Sequence, residues 1–244
     1  MSTLLRTEHL TRRFGGIAAV YDCSIEVPSG SITGLIGPNG SGKTTLFNLI
    51  TGLYRPDGGE VFFRGRRATG LPPHHLCHRG LSRTFQLTRL FWDLSVLENM
   101  IVPVRHVGLR ALMGPGIYRH EEERALHLLN RVGLLHLKDQ PARKLSFGQQ
   151  KLLEFGAVLM SDPEIVLLDE PTGGVNPTMI RFMMEFIRGL NGQGMTFVIV
   201  EHNMGLVMDL GDCVIVLDQG MKIAEGLPAE IQANPAVLDA YLGA

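Results

Sequence analysis

The stretch "LIGPNGSGKTT", residues 35–45, decides the fold of this chain. It fits the pattern G-x-x-x-x-G-K-[ST] from Gly37 to Thr44, and it follows a short apolar strand predicted at Ile32–Ile36 and precedes a predicted helix. In that setting the pattern predicts a phosphate-binding loop, because backbone N–H groups and the helix N-terminus form a concave positive site. Lys43 would add its charge at the β- and γ-phosphates, and the Thr44 hydroxyl would bind Mg²⁺. The residues of this phosphate loop are Gly37, Pro38, Asn39, Gly40, Ser41, Gly42, Lys43 and Thr44.

Two acidic residues follow a second predicted strand, residues 165–168. A carboxylate at the tip of a buried strand beside a phosphate loop suits Mg²⁺, so Asp169 is assigned to the metal, and Glu170 would orient or deprotonate an attacking water. The alternative, that these acids only cap a strand end, is the weaker one beside a phosphate loop. His202 follows a predicted strand at residues 197–200 and is a candidate γ-phosphate contact, because parallel sheets bind ligands at the carboxyl ends of their strands.

The stretch "LSFGQQ", residues 145–150, predicts the start of a helix. Ser146 is a favourable N-cap. The residues that follow it at helical spacing are Leu152, Phe155, Gly156 and Leu159. A helix N-terminus with free backbone N–H groups attracts an anion. The phosphate loop already takes the near side of the nucleotide, and the chain has no internal repeat, so the expected anion is a γ-phosphate bound by another subunit.

The residues between these motifs predict two kinds of structure. Before about residue 32, short alternating segments predict antiparallel strands. Residues 91–160 are mostly helical in pattern, apart from an irregular connection at residues 104–117, and they indicate an inserted helical subdomain. Its clearest helix, residues 120–132, has an acidic first turn and should end at Gly133.

Strands and helices alternate again from residue 165 onward. The predicted elements are a strand at 165–168, a helix at 178–190, a strand at 197–200, a helix at 204–210, and a hairpin of 213–217 with 222–224. Such alternation predicts a mainly parallel sheet with helices on both faces, and hence an α/β fold.

Composition argues against several other classes of protein. The net charge of -1 and the most basic run, residues 64–67, give no reason to expect a nucleic acid partner. Apolar runs are too short to span a bilayer, so the chain is expected in the cytoplasm. The 3 cysteines are scattered and should be reduced thiols. A zinc site at residues 74–78, which include three histidines and Cys77, is a weak alternative because a second pair of ligands is not in range.

Together these motifs resemble those of the ATP-binding-cassette (ABC) ATPases over essentially the whole chain. The matching elements are the phosphate loop, Gln86 in "RTFQ", the signature at residues 145–149, Asp169-Glu170 and His202. The resemblance implies a P-loop NTPase with a mainly parallel core, an antiparallel N-terminal β-subdomain and an inserted helical subdomain. It implies a single domain, 1–244, with a nucleotide-binding core at 1–88 and 160–244 and a helical signature subdomain at 89–159.

The same resemblance implies a complete nucleotide site that is shared between two cassettes packed head to tail. Phe14 would stack on adenine, and Thr45 would join the phosphate loop. Ser146, Gly148 and Gln149 of one cassette would close the ATP site of the other. The implied catalytic residues are Glu170, His202 and Gln86, and the implied Mg²⁺ ligands are Thr44, Gln86 and Asp169. A loop at residues 173–176 would cross the dimer.

Finer features look like those of the ATP-binding subunits of branched-chain amino acid importers, whose relatives import urea and short-chain amides. These features are "RTFQLTRLFWDLSVLENM", "LSFGQQ", Asn176-Pro177 and the ending "DAYLG". The likeness implies a Mg²⁺-dependent ATPase on the cytoplasmic face of the membrane. Its partners would be a second ATPase subunit, polytopic permease subunits reached through Gln86 and residues 90–92, and indirectly a solute-binding protein. The alternatives are a soluble ABC ATPase without a transport role, and a P-loop kinase or GTPase.

The sequence departs from the common cassette pattern at three places. Asn176 stands where most cassettes have Asp, and Phe147 replaces the usual Gly or Tyr of the signature. Residues 155–158 lack the arginine that commonly follows the signature. Gly156 among them is expected to cost its helix about 1 kcal/mol relative to Ala.

Overall fold

The structure is a computed structural model that describes residues 2–84, 90–103 and 119–242. Gln86 and the connection expected at residues 104–117 lie outside these residues. The strands are β1 (Thr3–Phe14), β2 (Ile17–Pro28), β3 (Ile32–Ile36), β4 (Gly58–Phe63), β5 (Arg66–Arg67), β6 (Leu81–Arg83), β7 (Ile165–Asp169), β8 (Thr196–Val200), β9 (Cys213–Asp218) and β10 (Met221–Gly226). The helices are α1 (Lys43–Ile50), α2 (Pro73–His78), α3 (Val96–Ile101), α4 (Arg119–Arg131), α5 (Phe147–Leu159), α6 (Pro177–Asn191), α7 (Met204–Leu210), α8 (Pro228–Gln232) and α9 (Pro235–Leu242).

The larger sheet has 6 strands in the order β10-β9-β3-β8-β7-β6. Its neighbours pair in parallel except in the hairpin of β9 and β10. Alternate residues of β7 enter different buried clusters. Val166 and Leu168 pack among residues of the helices, whereas Ile165 and Leu167 pack among residues of α1 and the N-terminal strands. Both faces are therefore covered, which explains the continuous apolar runs and confirms the predicted parallel sheet.

The smaller sheet is antiparallel, in the order β2-β1-β4-β5. The predicted antiparallel strands are confirmed. Where the sequence predicts several short segments, the structure has two strands of 12 residues each. Register shifts interrupt their pairing, and His9 and Asp22 have a φ of 50°. Such irregularities change which face a side chain points to, so the alternation of apolar residues breaks along each strand. The basic run begins as a hairpin turn, with positive φ at Arg64 and Gly65, and ends as β5.

The helices lie close to their predicted positions. α4 begins one residue before the predicted start, and Gly133 follows it with a φ of 74°, the left-handed conformation typical of a residue just past a helix. α6 is slightly longer than predicted, and α7 has the predicted bounds. Within residues 2–84, 90–103 and 119–242, no helix combines the length and the apolar character that crossing a membrane requires.

Helix α5 begins as predicted, with Ser146 as its N-cap. The Ser146 side chain accepts a hydrogen bond from the Gln149 amide, and the Gln149 side chain accepts one from the Ser146 amide, so the two form a capping box. Gly156 lies where α5 passes α3. A Cβ at this position would lie 3.1 Å from Met100 Sδ and 3.2 Å from its Cε. The glycine therefore lets the two helices approach closely, which offsets its low helix propensity.

Candidate functional site

The phosphate loop joins the central strand β3 to α1, and its shape depends on glycines. Gly37 has a φ of 150° and Gly42 has a φ of 101°. A Cβ on Gly37 would lie 2.0 Å from the Leu217 carbonyl oxygen, and one on Gly42 would lie 2.3 Å from the Ala19 carbonyl oxygen. The turn between β9 and β10 also touches the loop, since the Gly220 amide donates to the Ser41 carbonyl at 3.1 Å. Backbone from distant parts of the chain therefore holds this loop in shape.

Lys43 lies inside the loop, with only 6% of its surface exposed. Its Nζ donates to the carbonyls of Gly37 and Pro38, each at 2.8 Å, and to Ser41 Oγ at 3.3 Å. Burial lowers the pKa of Lys43, and the nearby carboxylates of Glu170 and Asp169 act in the opposite direction. The Lys43 ammonium can therefore hold the loop in shape through these hydrogen bonds, and it can also bind a phosphate. Thr44, the next residue, is exposed.

Asp169 is a buried carboxylate with one paired oxygen and one unpaired oxygen. Its Oδ2 accepts from Arg83 Nη2 at 2.7 Å, and its side chain is 1% exposed. Its Oδ1 is buried and has no hydrogen-bond partner in the described part of the chain. Burial raises the pKa of Asp169, and Arg83 opposes that shift. An orphaned carboxylate oxygen of this kind fits a hard cation such as Mg²⁺, which commonly takes one or two protein ligands and leaves the rest to phosphate and water.

Glu170 and His202 are brought together by the structure. Glu170 Oε1 and His202 Nε2 are 2.5 Å apart, across the ends of the paired strands β7 and β8. Glu170 has a φ of 48°, an uncommon left-handed conformation for a residue other than glycine. Both residues lie at strand ends, as predicted from the sequence. Their direct contact results from the parallel register of those strands.

Two charged residues of this site, Arg83 and Glu201, could not be assigned from the motifs of the sequence. Arg83, at the end of β6, donates to Asp169 and to Asn48 Oδ1, the latter at 2.5 Å, so it links β7 to α1. Glu201 is buried and accepts from the amide and the hydroxyl of Thr172 at 2.9 Å and 2.5 Å. A charged residue inside or next to a buried strand needs a partner, and that signal was present at both positions.

The remaining predicted ligands of ATP are accounted for as follows. Phe14 is 43% exposed, its ring meets that of Tyr54 edge to face at 5.4 Å, and the Arg12 guanidinium lies 4.9 Å from its centroid. Ser146 is exposed, and Gly148 and Gln149 are half-buried. In the described residues, none of the three forms a hydrogen bond with residues 37–45. Gln86 lies outside the described residues.

A groove of about 380 Å³ lies between α2, β6, α3 and α5. Its lining includes Leu53, Leu90, Phe91, Val102, Ala157 and Val158. Phe91 is 54% exposed and Val102 is 47% exposed, so the groove is rimmed by apolar side chains that reach solvent. The Asn99 side chain holds the segment that carries Phe91, because its Oδ1 accepts from the Phe91 amide at 2.8 Å. Trp92, one of the residues 90–92 expected to reach a permease subunit, is exposed but is not part of the groove lining.

A phosphate loop after a central parallel strand and carboxylates at the tip of a nearby strand define a P-loop nucleoside triphosphatase. The sequence profile of the family "ABC transporter" matches residues 20–173, and that of "Branched-chain amino acid ATP-binding cassette transporter" matches residues 221–244. The chain belongs to the ABC transporter family, and it is an ATP-hydrolysing cassette of that family.

Individual relatives match along nearly the whole chain. The high-affinity branched-chain amino acid transport ATP-binding protein LivG of Salmonella typhimurium is 41% identical over 250 residues, which cover 98% of each chain. Its counterpart BraF of Pseudomonas aeruginosa is 39% identical over 249 residues, again with 98% of each chain covered. Among solved structures, the ADP conformation of MJ1267, an ATP-binding cassette of an ABC transporter, has a TM-score of 0.89 at 35% identity and covers 100% of both chains. The dimeric cassette MJ0796, bound to ADP and Pi, has a TM-score of 0.79 at 26% identity and covers 92% of this chain and 99% of its own.

Proposed function

We propose that this chain is the energy-coupling subunit of an importer of branched-chain amino acids, and that it binds peripherally to the cytoplasmic face of the membrane. The observation that carries this proposal is the full-length likeness to branched-chain amino acid transport ATP-binding proteins, which includes residues 221–244. Residues 221–244 contain none of the proposed ATP-binding or catalytic residues. Their match to one branch of the family is therefore not explained by ATP hydrolysis alone. This match favours branched-chain amino acids over urea and short-chain amides, and it favours transport over a role as a soluble ABC ATPase.

In the proposed site, ATP binds with its phosphates on the phosphate loop and its adenine on Phe14. Lys43 meets the β- and γ-phosphates. Bound Mg²⁺ would neutralise phosphate charge, and the residues that would hold it are Thr44, Asp169 and Gln86. The unpaired Asp169 Oδ1 supports this assignment, because a buried carboxylate oxygen without a donor is costly unless a cation or water satisfies it.

Hydrolysis is assigned to the pair of Glu170 and His202. Glu170 orients the attacking water and accepts its proton, and His202 contacts the γ-phosphate. Their contact of 2.5 Å fixes the rotamers of both side chains before the nucleotide arrives, so little has to be ordered at the moment of reaction.

We assign the signature to a second cassette, either a copy of this chain or a paralogue. Ser146 and Gly148 begin a capped helix whose N-terminal end is exposed or half-buried, and a helix N-terminus favours an anion. Gln149 takes part in the cap through its Oε1, so its amide nitrogen is the part proposed to meet the partner's ATP. ATP would then bridge two chains, and hydrolysis would release them.

The apolar groove is the proposed contact with a permease subunit. An apolar groove with exposed aromatic residues at its rim suits an amphipathic helix of a partner. Arg83 lines the groove and also donates to Asp169 at 2.7 Å, so a helix in the groove would lie one side chain away from the proposed metal ligand.

Replacing Phe91 by alanine should weaken assembly with the permease about 10-fold, because an aromatic anchor in a groove contributes at least about 1.4 kcal/mol. The same change at Trp92, which lies outside the lining, should have the smaller effect. Co-purification from detergent-solubilised membranes measures both, and Tyr21→Ala, an exposed aromatic residue of the N-terminal sheet, is the matched control. Lower thermal stability with unchanged assembly in Phe91→Ala would remove Phe91 from the interface.

The proposed function is tested by tagging the chain, extracting native membranes in mild detergent and identifying what co-purifies. ATPase activity of the complex is then measured with solute-binding proteins loaded with leucine, isoleucine, valine or urea. We expect polytopic permease subunits to co-elute and the activity to rise with the branched-chain amino acids. Recovery from the soluble fraction only would favour the soluble ABC ATPase, and a response to urea alone would move the chain to the amide importers.

A further inference from the structure

Two short segments carry the proposed catalytic residues. Residues 170–173 follow β7 and residues 201–203 follow β8, and these strands pair in parallel. One link between the segments is the contact of Glu170 with His202, whose side chains are 20% and 47% exposed. A carboxylate–imidazole pair with that much exposure to water contributes little stability. Beyond the paired ends of β7 and β8, a second contact is therefore needed to hold the two segments together.

A buried carboxylate provides that contact. Glu201 is 4% exposed, and Thr172 is 8% exposed. Glu201 Oε1 accepts from the Thr172 amide at 2.9 Å and from the Thr172 hydroxyl at 2.5 Å, while its Oε2 accepts from the His202 amide at 3.3 Å. The two bonds from Thr172 therefore cross between the segments, and the bond from His202 fixes the carboxylate within its own segment. Separating the segments would leave one oxygen of a buried carboxylate and the two Thr172 donors without partners, which is costly.

The backbone of Glu170 also depends on its surroundings. Its left-handed φ of 48° is a conformation that persists only where neighbouring contacts fix it. The Glu170 amide donates to the Val200 carbonyl at 2.9 Å, and its carbonyl accepts from the Gly173 amide at 3.2 Å. Glu201 holds Thr172, which lies between Glu170 and Gly173 in the chain. The three contacts together determine where the Glu170 side chain points.

We infer that Glu201 is a positioning residue for ATP hydrolysis, whose buried carboxylate holds Thr172 to His202 and thereby sets the contact between Glu170 and His202. The inference rests on the proposed roles of Glu170 and His202. In the described residues, the hydrogen bonds of the Glu201 side chain go to Thr172 and His202 and not to the phosphate loop. Loss of Glu201 should therefore reduce turnover and leave ATP binding in place.

Two substitutions in the full chain, Glu201→Leu and Thr172→Val, remove the hydrogen bond between the Glu201 and Thr172 side chains. Each should lower kcat about 10- to 100-fold, since a catalytic group displaced by about 1 Å loses that much, while the KM for ATP changes less than about twofold. Glu201→Gln keeps an acceptor for Thr172, and Thr172→Ser keeps the hydroxyl, so both should recover most of the loss. Thr7→Val is the matched control, because Thr7 is a buried threonine of the N-terminal sheet whose hydroxyl donates to the Cys23 carbonyl at 3.0 Å and accepts from the Ile25 amide at 3.1 Å. It should lower thermal stability without changing kcat.

Two further measurements separate positioning from a general effect on stability. In a His202→Ala background, Glu201→Leu should cost little additional activity, whereas an equal fold loss in both backgrounds would overturn the inference. Without nucleotide, hydrogen exchange of the amides of Glu170, Thr172 and Gly173 should be faster in Glu201→Leu, and unchanged exchange would also overturn it. If Glu201→Leu does not fold, Thr172→Val, which removes only the hydroxyl bond, is put through the same two tests. The chain is assayed alone, so a failure here is distinct from a failure of the importer proposal, which the membrane assay detects.

Discussion

Replacing Glu170 by glutamine should leave ATP binding near the wild-type level and slow hydrolysis by about 100-fold or more, the usual contribution of a general base. Glutamine keeps the size of the side chain and an oxygen that can accept a hydrogen bond from His202, so the contact of 2.5 Å and the backbone around it are retained. What is lost is the negative charge that accepts a proton from water. Bound ATP then persists, and a dimer held together by ATP should accumulate.

Three measurements check this result, namely a binding titration with ATP, the rate of phosphate release, and light scattering with and without ATP. Glu185→Gln, an exposed change on α6, is the control for the loss of a carboxylate and should behave as wild type. Brisk hydrolysis by Glu170→Gln would exclude Glu170 as the residue that positions water. Weak ATP binding by this variant would instead indicate that the adjacent loop has moved.

Replacing Lys43 by alanine should abolish measurable ATP binding. The change removes the charge that faces the phosphates, and it also removes the ties from Nζ to the carbonyls of Gly37 and Pro38. Each charge-assisted hydrogen bond from Nζ to a phosphate would be worth about 1.5–3 kcal/mol, so the loss of two, to the β- and γ-phosphates, lowers affinity by about 100-fold or more. Hydrolysis should fall in parallel, because it requires bound nucleotide.

The control for Lys43→Ala is Lys222→Ala, which removes a lysine paired with Glu225 on β10. It should bind ATP as the wild type does, and near-normal affinity of Lys43→Ala would contradict the assignment of the phosphate loop. The pH dependence offers a second check. Because burial lowers the pKa of Lys43, the ammonium loses its proton at a lower pH than an ordinary lysine. ATP affinity should therefore begin to fall at a correspondingly lower alkaline pH.

Much of the fold could be predicted because its core strands are short, apolar and separated by helices. The strand Ile32–Ile36, the bounds of α7 and the N-cap at Ser146 all follow from local pattern. The twelve-residue strands β1 and β2 could not be predicted in full, because register shifts break the alternation that identifies a strand. Local pattern carries no information about irregular pairing with a distant partner.

The residues of the candidate site could likewise be predicted where they belong to a local motif, and not where they depend on distant partners. Lys43 and Asp169 belong to continuous motifs and could be assigned from sequence. Arg83 and Glu201 act through partners 86 and 29 residues away, so only the folded chain reveals them. The contact between Glu170 and His202 depends on the register of β7 and β8, which the sequence of each strand alone does not specify.

The position of β3 has a consequence for how the protein is made. The ribosome completes the phosphate motif early, but β3 pairs with β8 and β9, which begin at Thr196 and Cys213. The turn that touches the loop at Ser41 is made later still. Until those segments emerge, a nascent chain carries the motif without the neighbours that shape it. The ability to hold a nucleotide therefore arises only after residue 220 has been made, and chains interrupted before that residue lack it.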